Sequence, residues 1–566
     1  MDITPFLELA PAPRILMSRA RSRAATPRYL VRDEDGRWQP ITWQAHADAV
    51  RDVAGWLSGQ GVEPGERGAI LADSSARWME AALGLQAAGM AMVPIYPAST
   101  PEQAAYVVEH SATRVLFVAS APLLQRVFQA WSAYAGVRAV VVLDDTDPHA
   151  VLAELEGAPG LPSSEDLERR LVHWSAVRAA GAARHAADPD AFTRRLDAVG
   201  LDDLALMLYT SGTTGRPKGV PLTHRNLATN GNDWLRCNAP AMHEDAVDLL
   251  WLPMSHVFGF GEACLGNNLG FTTYMSTPKE ALTLMPEVAP TVFMSVPAYW
   301  DKLANGGPQQ VAARTGGRLR FCLSGGAGLS PSVKEVFREA GLTILEGYGL
   351  TECSPTLTLN RPDDYRFDSV GKPVPSVELR LADDGEIQAR GDSVFAGYHQ
   401  DPEATAAAFT ADGWFRTGDL GRFTDDGFLQ IVGRSKEILV TAGGKNVPPA
   451  NIEGLFSTDP CLAHVVVYGD GKKYLVAGVW LDEAATAARL RAQGRDPHDA
   501  TARHALVQAA VDEANASLAR FEQIKRFAIM PRPLTVEDGL VTSTLKIRRK
   551  AIYETFHDEL EGLYAS

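Results

Sequence analysis

Two rhythms of apolar and polar positions run along this chain, and the switch between them divides it. Between Tyr29 and Trp43, the apolar-rich arms Tyr-Leu-Val and Ile-Thr-Trp flank Asp35-Gly36, a dipeptide that favours a hairpin turn. From there to about residue 145, helical patterns at Trp43–Gln60 and Trp78–Ala88 alternate with apolar runs at Gly68–Leu71, Met92–Ile95, Val115–Val118 and Ala139–Leu143. That alternation predicts a mostly parallel sheet covered by helices. The Ala- and Arg-rich stretch from Arg178 to Asp197 predicts a connecting helix. Farther on, Asp384-Gly385 and Asp426-Gly427 predict two more hairpins, so the region from Val374 to Val432 reads as antiparallel. Near the end, runs at His464–Tyr468 and Tyr474–Leu481 predict strands, and Val507, Val511, Ala514 and Leu518 form one helical stripe. The pattern predicts a large α/β part followed by a small α+β unit.

Composition narrows the picture. A chain of 566 residues, 46% of them hydrophobic, is too long for one core and predicts at least two domains. The formal net charge of −15 argues against a nucleic-acid partner, so any anionic ligand must be met by local cations. Five scattered cysteines without a Cys-x-x-Cys pair read as reduced and structural. No apolar run reaches about 18 residues. Asp2 and Glu8 stand where a signal peptide would be basic and then apolar, so a cytoplasmic protein is expected. Peripheral membrane contact and a homodimer stay open.

The chemistry starts after Leu204–Leu208, which reads as a buried strand, while Leu222 to Asn226 reads as the start of a helix. Between them lies Tyr-Thr-Ser-Gly-Thr-Thr-Gly-Arg-Pro-Lys-Gly-Val, Tyr209 to Val220. Gly212, Gly215 and Gly219 let backbone N–H groups converge, Thr210, Ser211, Thr213 and Thr214 add hydroxyls, and Lys218 adds a positive charge. Such a loop suits a polyphosphate. It is not a Walker loop, because Lys218 is followed by Gly219 and not by Ser or Thr.

Further segments follow in order. Trp251 to Phe260 is apolar with one histidine, His256, and Gly259, Gly261, Gly266 and Gly270 suggest a channel beside a helix or ordinary turns. Phe321 to Ser330 runs from a strand into a glycine turn. Then come Leu-Glu-Gly-Tyr-Gly-Leu-Thr-Glu at Leu345–Glu352, Trp-Phe-Arg-Thr-Gly-Asp-Leu at Trp414–Leu420, and Gly-Arg-Ser-Lys at Gly433–Lys436. Thr-Ala-Gly-Gly-Lys-Asn at Thr441–Asn446 and Thr-Ser-Thr-Leu-Lys-Ile-Arg-Arg at Thr542–Arg549 complete the series. Together they resemble the AMP-forming adenylate-forming enzymes, which include acyl-CoA synthetases, luciferases and peptide-synthetase adenylation domains. Thr-Leu before Lys546, together with Tyr468 to Leu475, is similar to the long-chain acyl-CoA synthetases.

The resemblance implies a multilayer N-terminal domain at 1–433, with two α/β subdomains and a β-rich one, and a mobile α+β domain at 434–566 hinged at Lys436. It implies an ATP-dependent carboxylic acid:CoA ligase for long- or medium-chain fatty acids, with Mg²⁺ as cofactor and ATP and CoA as co-substrates. Thr210, Ser211, Gly212, Thr213, Thr214, Gly215 and Lys218 would hold phosphate. Gly325, Gly326, Ala327, Glu346, Gly347, Tyr348 and Gly349 would surround the base, with Asp419 and Arg434 at the ribose. Thr351 would touch the α-phosphate, and Glu352, a hard carboxylate, would bind Mg²⁺. His256, Phe258 and Gly259 would border the acyl substrate, Gly443 and Gly444 would meet CoA, and Lys546 would be the catalytic lysine. An acyl-AMP ligase loading a carrier protein and a β-lactone synthetase are rival enzymes. A catalytically inactive nucleotide-binding protein is disfavoured by the joint presence of Lys218, Glu352, Asp419, Arg434 and Lys546.

Overall fold

The computed structural model describes residues 2–155, 157–210, 216–243, 245–457, 459–535, 538–541 and 547–565. Two large sheets organise it. The first places its strands in the order Leu171–His173, Ala139–Val142, Thr113–Val118, Arg67–Leu71, Ala91–Ile95, Leu204–Thr210 and Lys218–Thr223. All run parallel except the last, which turns back on Leu204–Thr210 and pairs Lys218 with Thr210. Lys218, Gly219 and Val220, read from sequence as loop, are strand, because Val220 and Leu222 are buried in the core. The helix His224–Asn238 then begins with a capping box: Thr223 Oγ1 accepts from the Asn226 amide while Asn226 Oδ1 accepts from the Thr223 amide.

The second sheet has the order Lys372–Pro373, Thr356–Leu359, Ile344–Gly349, Phe321–Ser324, Val292–Ser295, Val247–Leu250, Thr272–Met275, Pro27–Arg32 and Trp38–Thr42. Its centre is parallel, as βαβ crossovers demand. The hairpin expected around Asp35-Gly36 forms, yet it leaves the neighbouring strands of the first sheet and lies parallel to Thr272–Met275. Arg28 supplies a reason. Its buried guanidinium donates to Asn267 Oδ1 at 2.7 Å, Thr273 Oγ1 at 2.7 Å and the Ala263 carbonyl at 3.0 Å. The hairpin is thereby tied to the helix Val257–Leu269 and to its neighbouring strand. Burial raises both Asp248 and Glu262 close by, Glu262 well above the carboxylate range, while the Arg28 charge pulls Asp248 back down.

Between Val377 and Arg434 four antiparallel strands form a third sheet, with Gly385 and Gly427 at φ +85° in its turns. The expected connecting helix is two helices, Trp174–Ala187 and Ala191–Asp197, parted by Asp188, Pro189 and Asp190. Gly181 lets the first of these lie so close to the helix Trp43–Gly59 that an added Cβ would sit 1.9 Å from the Asp52 carbonyl oxygen. A small last sheet, Leu462–Tyr468, Leu475–Leu481 and Ile524–Ile529, buries Val507, Val511 and Ala514 of the helix Ala500–Ser517.

Replacing Arg28 with methionine removes a buried cation beside Asp248 and takes away a donor to Asn267 and Thr273. The expected loss is about 3 to 5 kcal/mol, visible as a lower urea midpoint of tryptophan fluorescence. A midpoint unchanged from the parent would show that Arg28 does not hold the hairpin.

Candidate active site

Strands of both large sheets end at one place. Ile95, Thr210, Met294, Ser324 and Gly349, all at or near carboxyl ends of strands, line a single cavity of about 1320 Å³. Ligands collect at such ends because the loops there diverge and leave a crevice. Asp419 and Arg434 enter from the third sheet, and Lys436, Asn451, Gly539 and Arg548 enter from the chain that follows it.

The polar wall is fixed by a short network. Asp419 pairs across the ladder with Arg434, whose Nε lies 3.0 Å from Asp419 Oδ1. The Tyr348 hydroxyl donates to the other carboxylate oxygen at 2.7 Å. Burial raises the Asp419 carboxyl, while Arg434 and Tyr348 pull it down, and burial together with the Asp419 charge drives the Tyr348 phenol well above its ordinary range. Gly325, Gly326 and Ala327 line the same cavity, and Phe258 packs on Gly325: a Cβ there would meet the Phe258 ring at 3.2 Å. Gly349 has no alternative, since its Cβ would stand 1.8 Å from the Pro355 carbonyl oxygen.

A second acid, Glu352, is buried in the same cavity wall. Tyr398 donates to its Oε1 at 2.9 Å, and Lys218 Nζ lies 4.8 Å from the centre of the Tyr398 ring. Burial raises the Glu352 carboxyl against the opposing pull of Tyr398, Arg434 and Lys218. Tyr398 escaped the sequence reading because nothing in its spacing links it to Glu352; only folding brings the two together. Thr351, Gly347 and Thr210 also line the cavity.

Beyond Phe258 the lining between the helices His224–Asn238 and Val257–Leu269 carries the apolar Leu227, Ala228, Trp234, Phe260 and Leu265, interleaved with Asn230, Asn232, Glu262 and Asn268. His256 caps the second helix: its Nδ1 accepts from the Phe258 amide at 3.1 Å, which leaves the ring proton on Nε2. His256 and Phe258 line the cavity, whereas Gly259 is turned to the backbone of Leu252 and Pro253, where a Cβ would sit 2.4 Å from the Pro253 oxygen. Glu346 also points elsewhere. It is buried behind the strand, where it accepts from the Leu329 amide at 2.9 Å and pairs with Lys334, which donates to the Phe367 carbonyl at 2.7 Å. Glu346 thus braces the glycine turn from behind, and Lys334, missed in the sequence, is its partner. Gly443 and Gly444 sit in an exposed turn between Leu439–Val440 and Asn446–Val447, outside the cavity lining. Lys436 is exposed at the mouth. Ser211, Gly212, Thr213, Thr214, Gly215 and Lys546 lie outside the described residues.

Residues 19–399 match the family described as AMP-binding enzyme, and residues 436–566 match the AMP-binding enzyme C-terminal domain. The chain is 33% identical to the long-chain-fatty-acid–CoA ligase FadD15 of Mycobacterium bovis, with 95% of each chain covered. It is 30% identical to long-chain-fatty-acid–CoA ligase 5 of Mus musculus over 64% of this chain and 63% of that one. Among solved structures, the anthranilate CoA ligase AuaEII in complex with anthranoyl-AMP has the same fold, with a TM-score of 0.77 at 22% identity over 98% of both chains. The A-PCP didomain of the carboxylic acid reductase from Segniliparus rugosus, in complex with AMP, gives 0.79 at 22% identity over 98% of this chain and 82% of that one.

Lys334→Met tests the brace. Without its cation the buried Glu346 takes up a proton in the folded state at a higher pH than in the unfolded chain. Stability is then retained below the unfolded value, about 4.3, and lost as pH rises through the raised folded value. Thermal melts should show a deficit at pH 8 that shrinks toward pH 5; equal deficits at both would discard the pair as an electrostatic brace.

Proposed function

The chain belongs to the AMP-binding enzyme family, and on that premise we propose that it is an ATP-dependent ligase joining a long- or medium-chain fatty acid to coenzyme A. The reaction passes through an acyl-adenylate and releases pyrophosphate. One observation carries the reading: a single cavity has a polar wall of Tyr348, Asp419, Arg434, Glu352 and Lys218 and continues, past Phe258, into an arm between two helices where Leu227, Ala228, Phe260 and Leu265 offer apolar surface. A nucleotide fits the first part and an acyl chain the second, and they meet beside Thr351.

In this reading adenine lies against Gly325, Gly326 and Ala327 and stacks on Tyr348, while Asp419 accepts from both ribose hydroxyls beside Arg434. Thr210, Lys218 and residues 211–215 hold the phosphates, and the acid's carboxylate comes to rest near His256. The carboxylate attacks the α-phosphorus and pyrophosphate leaves. A carboxylate is a weak nucleophile toward a polyanion, so the protein's part is to hold the two in line and to offset charge. Lys546, placed by its motif, would bridge the carboxylate and the α-phosphate. The donor set suits magnesium: Glu352 brings one hard oxygen, and no group of three or more His, Cys, Asp or Glu side chains gathers among the described residues, so the substrate phosphates would complete the shell. Bound there, the ion would neutralise phosphate charge.

Thioester formation needs the CoA thiol at the acyl carbon where Lys546 stood. We assign residues 434–566 to a domain that turns about Lys436, withdrawing Lys546 and bringing Gly443 and Gly444 to the mouth. The exposed position of that turn in the present arrangement is compatible with such a swing. Among the described residues no helix is long and apolar enough to cross a membrane.

Incubation with Mg-ATP, CoA and acids from acetate to hexadecanoate, following pyrophosphate and thioester, tests the proposal. Acid-dependent pyrophosphate with thioester, strongest at the longer acids, is expected. Pyrophosphate without thioester would move the acceptor to a carrier protein or to no acceptor at all, and no acid-dependent pyrophosphate would discard the ligase. Lys546→Ala should slow pyrophosphate release by about 10² to 10³ while ATP binding changes only a few-fold. Tyr398→Phe removes the donor that holds the Glu352 carboxyl down. The acid limb of kcat/KM for ATP, where activity fails as Glu352 takes up a proton with falling pH, should therefore move to higher pH. An unmoved limb would exclude Glu352 as the titrating group.

A further inference from the structure

The arm of the cavity runs between two helices and reaches the N-terminal segment. Its two walls present residues at helical spacing: Leu227, Ala228 and Gly231 on one helix, and Phe258, Gly261 and Leu265 on the other. Glycine inside a helix is destabilising relative to alanine, so each glycine there calls for a reason. Gly259 and Gly266 have one in close packing, since a Cβ would come within 2.4 Å of the Pro253 oxygen and 2.7 Å of Arg28 Nη2. Gly231 and Gly261 differ. Neither adopts a positive φ, both line the cavity, and a Cβ on either would meet nothing within 4 Å. Neither backbone strain nor packing requires them; what they leave is open bore.

Measured along the helix, the wall from Phe258 to Asn268 is about 15 Å long at 1.5 Å per residue. There the arm meets the segment at residues 4–10. One asparagine from each wall pins it: Asn232 Nδ2 donates to the Leu7 carbonyl at 2.9 Å and Asn268 Nδ2 to the Phe6 carbonyl at 2.9 Å. Arg19 adds donors to the Pro5 carbonyl at 2.7 Å and to Asn268 Oδ1 at 3.3 Å, and lies 4.5 Å over the buried Phe6 ring. Glu8 and Ala10 of the segment line the cavity. Glu8 is exposed, so a chain end that reaches it at this strap gains no further apolar burial.

We infer that Gly231 and Gly261 set the width, and the asparagine-pinned strap the depth, of an acyl channel, so that these residues fix the chain length the protein accepts. The inference rests on the ligase reading for the identity of the ligand as an acyl chain. Leucine at either glycine fills the bore, and each methylene left unburied lowers affinity by about fourfold.

The test compares kcat/KM for octanoate and hexadecanoate. Gly231→Leu and Gly261→Leu should each lower the hexadecanoate-to-octanoate ratio by about tenfold or more. Gly231→Ala and Gly261→Ala, which suit a helix, should move it the same way by less and serve if a leucine variant does not fold. The double variant Asn232→Ala, Asn268→Ala, which unpins the strap, should move the ratio several-fold in the opposite direction. Binding is followed separately, without ATP, by quenching of Trp234 in the cavity wall with bromo-substituted acids of both lengths, and Trp234→Phe is the blank. A parent protein that makes no thioester yet shows glycine-dependent length discrimination in quenching would sink the ligase and keep the channel. A parent that makes thioester while neither the glycine nor the asparagine variants move the ratio beyond twofold would overturn the channel and keep the ligase.

Discussion

Two carboxylates, Glu352 and Asp419, are buried in the wall of a cavity proposed to receive a polyanion, and the surroundings of both answer to that constraint. Left alone, burial would neutralise each acid and the wall would lose its acceptors. The structure holds them with donors that cannot be shed: the Arg434 guanidinium and the Tyr348 hydroxyl on Asp419, and the Tyr398 hydroxyl on Glu352 with Lys218 beyond. These partners come from strands and loops far apart in sequence, so the network itself locks the third sheet against the second. The chain as a whole carries a net charge of −15, and the cavity's cations act at short range and not through a long-range field.

The division of the cavity follows from which elements reach it. Carboxyl ends of parallel strands deliver backbone groups and short polar residues to one end, and two helix flanks deliver apolar residues to the other. Phe258 and His256 stand at the junction because the strand Val247–Leu250 runs into the helix Val257–Leu269 there, with His256 as the cap. One histidine thus ends a loop, starts a helix and faces the site, and its tautomer is set by the helix-capping bond.

Glycine shows how little a residue type says without its surroundings. Gly349 is required because the Pro355 carbonyl lies against it, Gly259 and Gly266 because of close packing, and Gly385 and Gly427 because of a left-handed turn. Gly231 and Gly261 satisfy none of these needs, and the space they leave opens on the cavity.

The sequence by itself determined the local elements and the chemistry on offer. Strand and helix periods, the Asp-Gly turns and the helix start at Leu222–Asn226 depend on contacts between near neighbours, so they are readable from spacing, and the glycine-rich segments carry groups that suit an anion. Tertiary structure alone decided the rest. It carried the Tyr29–Trp43 hairpin to the second sheet through the buried Arg28, and it brought Tyr398 to Glu352. It turned Glu346 and Gly259 away from the cavity, although both lie within the segments that mark the site. These outcomes depend on which distant surfaces meet, and the energy of a buried ion pair or a filled void is set by residues that no local pattern connects.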